Sequence, residues 1–270
     1  MSTAAPPDVR YEQRGGVGYV VIDRAPVNAF RTETWEALGD ALDAAAGDEG
    51  CAVVVLTSGL ASGPFCAGAD VNELPMTPER DAHRMALVHR MLDRLAHTTV
   101  PTIAAIAGAC VGSGCALIAA CDMRVATADV RFMLREIDVG RCGGARHLMR
   151  VLPQGIVRYM AFSGRPIDAA LARELGMVLD VARDRVELSE MVDELARTLA
   201  SKSPVALRTS KRSLDACEEL PLAEGYAVEQ QFSIELASTA DAAEATAAFR
   251  QGRDPNWHRR DPNAEPEQEH

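Results

Sequence analysis

Short apolar runs along the chain alternate with segments in which apolar residues recur every three or four positions. The runs predict strands, and the recurring positions predict helices. Strands are expected at residues 18–23, 51–57, 102–107 and 122–127. The first helical segment should begin with Thr32 as its cap, bury Trp35, Leu38 and Leu42 on one face, and end at Gly47.

A longer helix should follow Thr77, because the proline at the next position suits the first helical turn. Its apolar stripe would comprise Met85, Val88, Leu92 and Leu95. A short apolar helix is expected at 113–120. From Asp184 onward the strand pattern stops, and amphipathic helices continue to about Arg250. The alternation favours a layered α/β core that gives way to a helical C-terminal region.

The domain organisation follows from this change of pattern. We expect a core over residues 8–200 and a helical region over 201–258. The polar, proline-containing ends at 1–7 and 259–270 are expected to be disordered. Because no Ser/Gly-rich linker separates the two regions, the helices should pack on the core or on a neighbouring subunit.

Composition restricts the kinds of partner. The chain of 270 residues carries a formal net charge of −11, which argues against a nucleic-acid or anionic-membrane surface. The sequence shows neither a secretory signal pattern nor an apolar run long enough for a membrane span, so a cytoplasmic protein is expected. Its seven cysteines form no Cys-x-x-Cys pair and show no metal-ligand spacing with histidine. Buried reduced thiols and no bound metal are therefore expected.

Two turns rich in glycine and alanine carry the strongest chemical indication. They read Phe-Cys-Ala-Gly-Ala-Asp at 65–70 and Gly-Ala-Cys-Val-Gly-Ser-Gly-Cys at 108–115. Small residues let a ligand approach the main chain, and N–H groups at such turns can point at an anionic oxygen. The two turns together could stabilise an enolate or a tetrahedral oxyanion. Tight strand-to-helix packing is the simpler alternative, whereas a phosphate loop and a nucleophile elbow both fail on residue spacing.

At these two turns the chain resembles the crotonase (enoyl-CoA hydratase/isomerase) superfamily. Further segments resemble that family in the right order, so the resemblance covers about Tyr11 to Trp257; they lie at 23–29, 121–126, 203–211 and 248–257. The resemblance implies a spiral of ββα repeats followed by C-terminal helices that build a homotrimer, or a hexamer made of two trimers. It also implies an acyl-CoA thioester as substrate, with coenzyme A as part of that substrate and no other cofactor.

The same resemblance implies roles for individual residues. The oxyanion donors would be the backbone N–H groups of Ala69 and Ser113. Most family members have glycine where Ser113 stands; serine keeps the N–H but needs an ordinary φ angle. The neighbouring residues are expected to bind substrate: Ala67, Gly68, Asp70, Gly112 and Gly114. For Asp70, capping of a helix that starts near Asn72 is the simpler interpretation.

Hydratases of the family place two glutamates beside the acyl carbons. Ala116 occupies the first of these positions, and Glu136 matches the second. One base beside an oxyanion site can remove a proton from one carbon and return it two carbons away, which shifts a double bond. The sequence therefore favours an enoyl-CoA isomerase with Glu136 as its catalytic base. Alternatives are an enoyl-CoA hydratase (a lyase) in fatty-acid or related acyl-CoA catabolism, a CoA-ester hydrolase, or a non-catalytic CoA-binding homologue.

Three further residues are candidates for substrate contacts, as is Ala116. Arg141 lies in a loop shorter than is typical of hydratases and is expected to line the acyl pocket. Lys211 would contact the CoA phosphates, with an exposed helix position as the alternative. Phe249 would close the acyl pocket, with helix packing as the alternative. Glu136 itself could be a surface carboxylate at a strand end.

Overall fold

The computed structural model describes residues 7–257. The expectations for the chain ends at 1–6 and 258–270 lie outside the described residues. Nine strands form two sheets. They are β1 (Val9–Arg14), β2 (Val17–Ile22), β3 (Val53–Ser58), β4 (Thr102–Ile106), β5 (Ala109–Val111), β6 (Met123–Thr127), β7 (Arg131–Met133), β8 (Ile167–Asp168) and β9 (Asp180–Ala182).

The main sheet has six strands in the order β1-β2-β3-β4-β6-β9, and every pair except β1 and β2 is parallel. Both faces of this sheet are covered. In β3, Val53 and Val55 belong to one apolar cluster, whereas Val54 and Leu56 belong to the other. Burial on both sides explains why this strand is an unbroken apolar run in the sequence rather than an alternating one.

Ten α-helices accompany the strands within residues 7–257. They are α1 (Thr32–Gly47), α2 (Pro78–Ala96), α3 (Ser113–Ala120), α4 (Ala145–Leu148), α5 (Gln154–Ser163), α6 (Ala169–Glu174), α7 (Arg185–Ala200), α8 (Pro204–Cys217), α9 (Leu222–Ala237) and α10 (Ala240–Gln251). None of them combines the length and the apolar character needed to cross a bilayer. Helix α7 packs on one face of the main sheet, while α1, α2 and α3 contribute to the larger cluster on the other face.

Two details of the helices differ from the sequence expectations. Thr32 is the first residue of α1 rather than its cap, and its hydroxyl instead donates to Glu73 Oε1 (3.0 Å). In α2, Met85 is mostly exposed, whereas Leu87 and Met91 are buried. A helical stripe follows a period of 3.6 residues, so a face drawn through 85 and 88 lies to one side of the true core face.

The C-terminal helices follow the last strand, as expected from the sequence, and Asp184 caps α7 by accepting from two backbone N–H groups. They are tied to the sheet through an ion pair in which only the lysine is buried: Lys211 Nζ on α8 lies 2.6 and 2.7 Å from the two carboxylate oxygens of Asp122. The same carboxylate accepts from the backbone N–H and the hydroxyl of Thr102 at the start of β4. This contact fixes α8 against the edge from which β4 and β6 begin.

Candidate active site

The first glycine turn is held by the segment that precedes α1. Asn28, which is fully buried, donates to the Phe65 carbonyl (3.0 Å). Phe30 pairs with Ala69 as an isolated parallel bridge, in which the Phe30 N–H donates to the Gly68 carbonyl and the Asp70 N–H donates to the Phe30 carbonyl. These bonds use the groups on either side of Ala69 and leave the Ala69 N–H unused.

The second turn contains β5, so it is not a simple connection between a strand and α3. A parallel bridge between Cys66 and Cys110 places the two turns side by side, with the Val111 N–H donating to the Cys66 carbonyl (2.9 Å). Gly114 closes the contact, because a Cβ at this position would lie 2.8 Å from the Cys66 Cβ. Gly114 therefore packs the turns together and does not line the cavity described below.

Gly112 and Ser113 share the conformational demands of this turn. Gly112 takes φ 51°, in the region that favours glycine, whereas Ser113 keeps an ordinary φ angle as the first residue of α3. Serine is therefore accommodated at position 113 without backbone strain. Gly112 must also be small, because a Cβ there would lie 2.6 Å from Glu136 Oε1.

The two turns open onto one cavity of about 370 Å³. Eight of the predicted site residues line it: Ala67, Gly68, Ala69, Gly112, Ser113, Ala116, Glu136 and Arg141. Among residues 7–257, neither the Ala69 N–H nor the Ser113 N–H has a hydrogen-bond acceptor. Two unpaired backbone donors on one cavity can bind an oxygen that becomes negative during a reaction.

Glu136 brings a carboxylate to the same cavity. It begins a 3-10 turn (Glu136–Val139) that is separated from the end of β7 by two residues, and its Oε2 is buried without a hydrogen-bond partner within the described chain. Burial raises the pKa of this carboxyl above its ordinary range, an effect opposed in part by a hydrogen bond from its own backbone N–H. A carboxylate whose charge is poorly solvated is a stronger base than one in water, so Glu136 is suited to accept a proton from carbon.

This raised pKa predicts the acid side of the pH profile. The ionised form is the base, so kcat/KM should rise with pH through the raised pKa and fall off below it. The fall should begin above the ordinary glutamate value of about 4.3. Steady-state rates measured between about pH 4.5 and 8, with circular dichroism to confirm folding at each pH, test this expectation. A kcat/KM that stays constant as the pH falls to the ordinary pKa range of glutamate would contradict this expectation.

The number of carboxylates that face the cavity depends on positions 116 and 138. Ala116 lies on the buried side of α3 and lines the cavity where the family's first glutamate would stand. Asp138 points elsewhere: it is paired with Arg135 (2.7 Å), is largely exposed and does not line the cavity. Among the described residues that line the cavity, Glu136 is the only carboxylate.

Of the other predicted contacts, Arg141 and Asp70 take structural partners. Arg141 lines the cavity while its guanidinium pairs with Asp81 of α2, which joins the loop after Glu136 to that helix. Asp70 caps the 3-10 turn at Val71–Glu73 through the Asn72 N–H (2.9 Å) and pairs with Arg24 (2.8 Å). The capping interpretation of Asp70 is confirmed, and the residue does not line the cavity.

The structure does not bring Lys211 or Phe249 to the cavity. Lys211 is only 5% exposed and is held by Asp122, so in this chain its ammonium is engaged inside the fold rather than available to phosphates. Phe249 is 89% exposed on α10 and closes no pocket within the described chain. In the described chain the contact expected of Lys211 is replaced by its ion pair with Asp122, whereas closure of the acyl pocket by Phe249 stays a prediction.

Several residues that line the cavity were not predicted from the sequence, and Arg84 and Trp35 are two of them. Arg84 lies four and eight residues before Val88 and Leu92, so it occupies the apolar face of α2. A charged residue on a predicted buried stripe is the pattern that could have identified it. Trp35 was expected in the core, but its contribution to the cavity wall was not expected.

Comparison with known proteins identifies the family and the fold. A model of the enoyl-CoA hydratase/isomerase family matches residues 12–260. The 2,3-dehydroadipyl-CoA hydratase of Escherichia coli (strain K12) is 35% identical over 235 residues, which cover 85% of this chain and 90% of that protein. A crystal structure of enoyl-CoA hydratase from Mycobacterium smegmatis matches with a TM-score of 0.87 at 27% identity, covering 94% of this chain and 100% of the other.

A relative with a different name is also similar. The (7aS)-7a-methyl-1,5-dioxo-2,3,5,6,7,7a-hexahydro-1H-indene-carboxyl-CoA hydrolase of Mycobacterium tuberculosis (strain ATCC 25618 / H37Rv) is 33% identical over 238 residues, with 87% of this chain and 94% of that protein covered. The fold is thus the crotonase fold that the resemblance predicted. The chain belongs to the enoyl-CoA hydratase/isomerase family.

Proposed function

We propose that this protein is an enoyl-CoA isomerase that moves a double bond with Glu136 as its single catalytic base. The observation that carries the proposal is the presence of one carboxylate, Glu136, among the described residues that line the cavity, with Ala116 at the position where a second would stand. Isomerisation needs one group that removes and returns a proton, whereas hydration needs water activation as well as proton delivery.

We assign each step of this reaction to a group that lines the cavity. The thioester oxygen binds at the Ala69 and Ser113 N–H groups. Glu136 removes a proton from the carbon next to the thioester carbonyl, and the negative charge moves to the oxygen, where the two N–H groups stabilise it. Glu136 then returns the proton two carbons further along the chain, which completes the shift from a 3-enoyl to a 2-enoyl thioester.

Enoyl-CoA hydratase is the second candidate, and the names of similar proteins favour it. The relatives include a 2,3-dehydroadipyl-CoA hydratase at 35% identity, and the solved structures include enoyl-CoA hydratases. A hydrolase is also among the relatives. For this chain to act as a hydratase, Glu136 alone would have to activate the water and deliver the proton, because Ala116 contributes no acid.

The experiment that separates the two reactions compares substrates in the wild type and in Ala116→Glu. The wild type should convert 3-enoyl-CoA to 2-enoyl-CoA faster than it hydrates crotonyl-CoA. Ala116→Glu should raise hydration by about 10-fold, less than the roughly 10²–10⁴-fold of a positioned acid or base, because the new carboxylate is not held in place. Ala116 is buried, so the variant's thermal unfolding must be measured alongside.

The control for this experiment is Ala116→Gln, which adds similar volume without an ionisable group. Hydration that rises equally in the Gln and Glu variants would show that the effect is one of pocket shape. Efficient hydration of crotonyl-CoA by the wild type would reject the isomerase proposal and select the hydratase.

The assembly and the location are proposed on the same basis. We propose a homotrimer or a dimer of trimers built by the C-terminal helices, because large apolar side chains lie exposed there, including Leu222, Ile234 and Phe249. We propose a cytoplasmic location, because all seven cysteines are free thiols and five of them are buried.

A further inference from the structure

Arg84 places a positive charge in the cavity wall without a partner from the protein. The residue is 7% exposed and lines the cavity from α2. Within residues 7–257 its guanidinium makes no ion pair and no hydrogen bond, and its Nε is buried without an acceptor. Buried charges in proteins are normally paired, so this arrangement calls for a partner that arrives with a ligand.

Two other arginines show how a guanidinium group is paired in this chain when it stabilises the fold. Arg124, 8% exposed, donates to backbone carbonyls of Met177, Ile118 and Cys121. Arg141 lines the same cavity but is paired with Asp81. Glu136 lies beyond ion-pair distance of Arg84, so the catalytic carboxylate does not neutralise it. Arg84 is therefore the buried arginine of this cavity that has been left without an acceptor.

A second buried donor lines the same cavity. Trp35 Nε1 has no hydrogen-bond partner, although the ring is fully buried and packs edge-to-face on Phe30. Apolar residues that line the cavity with these donors include Leu74, Val88 and Leu92. An anionic group held here would be surrounded by little water, and a guanidinium suits the planar, two-oxygen geometry of a carboxylate.

We propose that Arg84 binds a carboxylate carried by the acyl group, so that the substrates are CoA monothioesters of dicarboxylic acids. The inference rests on the proposed function only in taking an acyl-CoA as the ligand. The thioester oxygen is assigned to the Ala69 and Ser113 N–H groups, so the carboxylate at Arg84 belongs to another part of the acyl chain. The apolar residues between the two places would contact the methylene groups that join them.

The test measures binding of saturated thioesters, which undergo no double-bond chemistry. Calorimetry compares matched pairs of equal chain length that differ in a terminal carboxylate: succinyl- and butyryl-CoA, glutaryl- and pentanoyl-CoA, and adipyl- and hexanoyl-CoA. For the pair of fitting length, the wild type should bind the carboxylated member roughly 30- to 100-fold more tightly, the lower part of the range measured for charge pairs desolvated by binding.

Variants then assign the effect to Arg84. Arg84→Met should abolish the preference within the pair and leave binding of the uncharged member and of free CoA unchanged. Arg84→Lys keeps the charge without the two-pronged geometry and should retain part of the preference. The matched control is Arg90→Met, at an exposed position of the same helix, which should bind every compound like the wild type.

Equal binding within all pairs in the wild type would overturn the inference, and so would a preference for the carboxylated member that survives in Arg84→Met. A third contrary outcome is loss of free CoA binding in Arg84→Met, which would mean that Arg84 binds a CoA phosphate. The wild-type comparison needs no variant, so the inference stays testable if Arg84→Met does not fold. Failure of the proposed function is seen separately, because a protein that discriminates these saturated pairs but moves no double bond rejects the isomerase alone.

Discussion

Glutamine in place of Glu136 should lower turnover by about 10²–10⁴-fold, the usual contribution of a positioned general base. The amide has the volume of the carboxyl group but accepts no proton from carbon. The loss should appear in kcat and in kcat/KM together, because the group acts in the transition state and not in ground-state binding. Stopped-flow or steady-state rates with 3-enoyl-CoA, together with the affinity for a saturated acyl-CoA, give the required comparison.

Folding provides the control for this variant. Burial raises the pKa of Glu136 in the folded protein above its value in the unfolded chain. The ionised carboxylate therefore reduces the free energy of unfolding once the pH exceeds the unfolded value, and this reduction grows until the pH passes the folded value. Glu136→Gln should accordingly be no less stable than the wild type near neutral pH.

The matched control for activity is Asp138→Asn, which changes an exposed carboxylate on the same 3-10 turn and should keep full activity. Near-normal turnover in Glu136→Gln would remove this residue from the mechanism.

Ala69→Pro should lower kcat by about 10²–10³-fold, as removal of a single oxyanion donor does in other enzymes. Proline lacks the N–H group that is assigned to the thioester oxygen. The N–H of Ala69 makes no hydrogen bond in the described chain, so the substitution removes none from the fold. The rate of isomerisation and the circular dichroism spectrum are measured on the same preparation.

The matched control is Ala69→Gly, which retains the N–H and should lose little activity. The neighbouring N–H of Asp70 does serve the fold, because it donates to the Phe30 carbonyl. Asp70→Pro should therefore reduce stability, because it removes this bond together with the cap on the Asn72 N–H and the ion pair with Arg24. A folded Ala69→Pro protein with wild-type rates would show that this turn does not hold the thioester oxygen.

The strands of the sheet core could be predicted from the sequence because burial on both faces produces an unbroken run of apolar residues. Residues such as Val53 to Leu56 are apolar without alternation, and the structure places them in the main sheet. The short strand β5 was hidden inside the second glycine turn, since three residues are too few to show any periodicity. The first glycine turn was expected to lead into a helix. It leads instead into a short 3-10 turn at Val71–Glu73, and α2 begins only at Pro78.

Long-range pairing accounts for what the sequence could not show at the candidate site. Lys211 is paired with Asp122, 89 positions earlier in the chain, and neither residue has a neighbour in sequence that indicates the other. The lack of a partner for Arg84 is equally a property of the folded chain: Asp81 on the same helix bonds Arg141 through one carboxylate oxygen, and its other oxygen makes no hydrogen bond within the described residues. Local patterns therefore located the glycine turns and the family resemblance pointed to Glu136, whereas the charge balance of the cavity emerged only from the fold.

The burial of α3 has a consequence for how new substrate preferences can arise in this protein. Every residue of that helix except Ser113 is buried, so changes there must respect the volume of the core. Another part of the cavity lining is formed by Met85 on α2 and by the exposed loop residues Cys142 and Gly143, where substitutions disturb little packing. Evolution or directed mutagenesis can thus alter the acyl group that is accepted through one wall while the reaction chemistry stays fixed in the other.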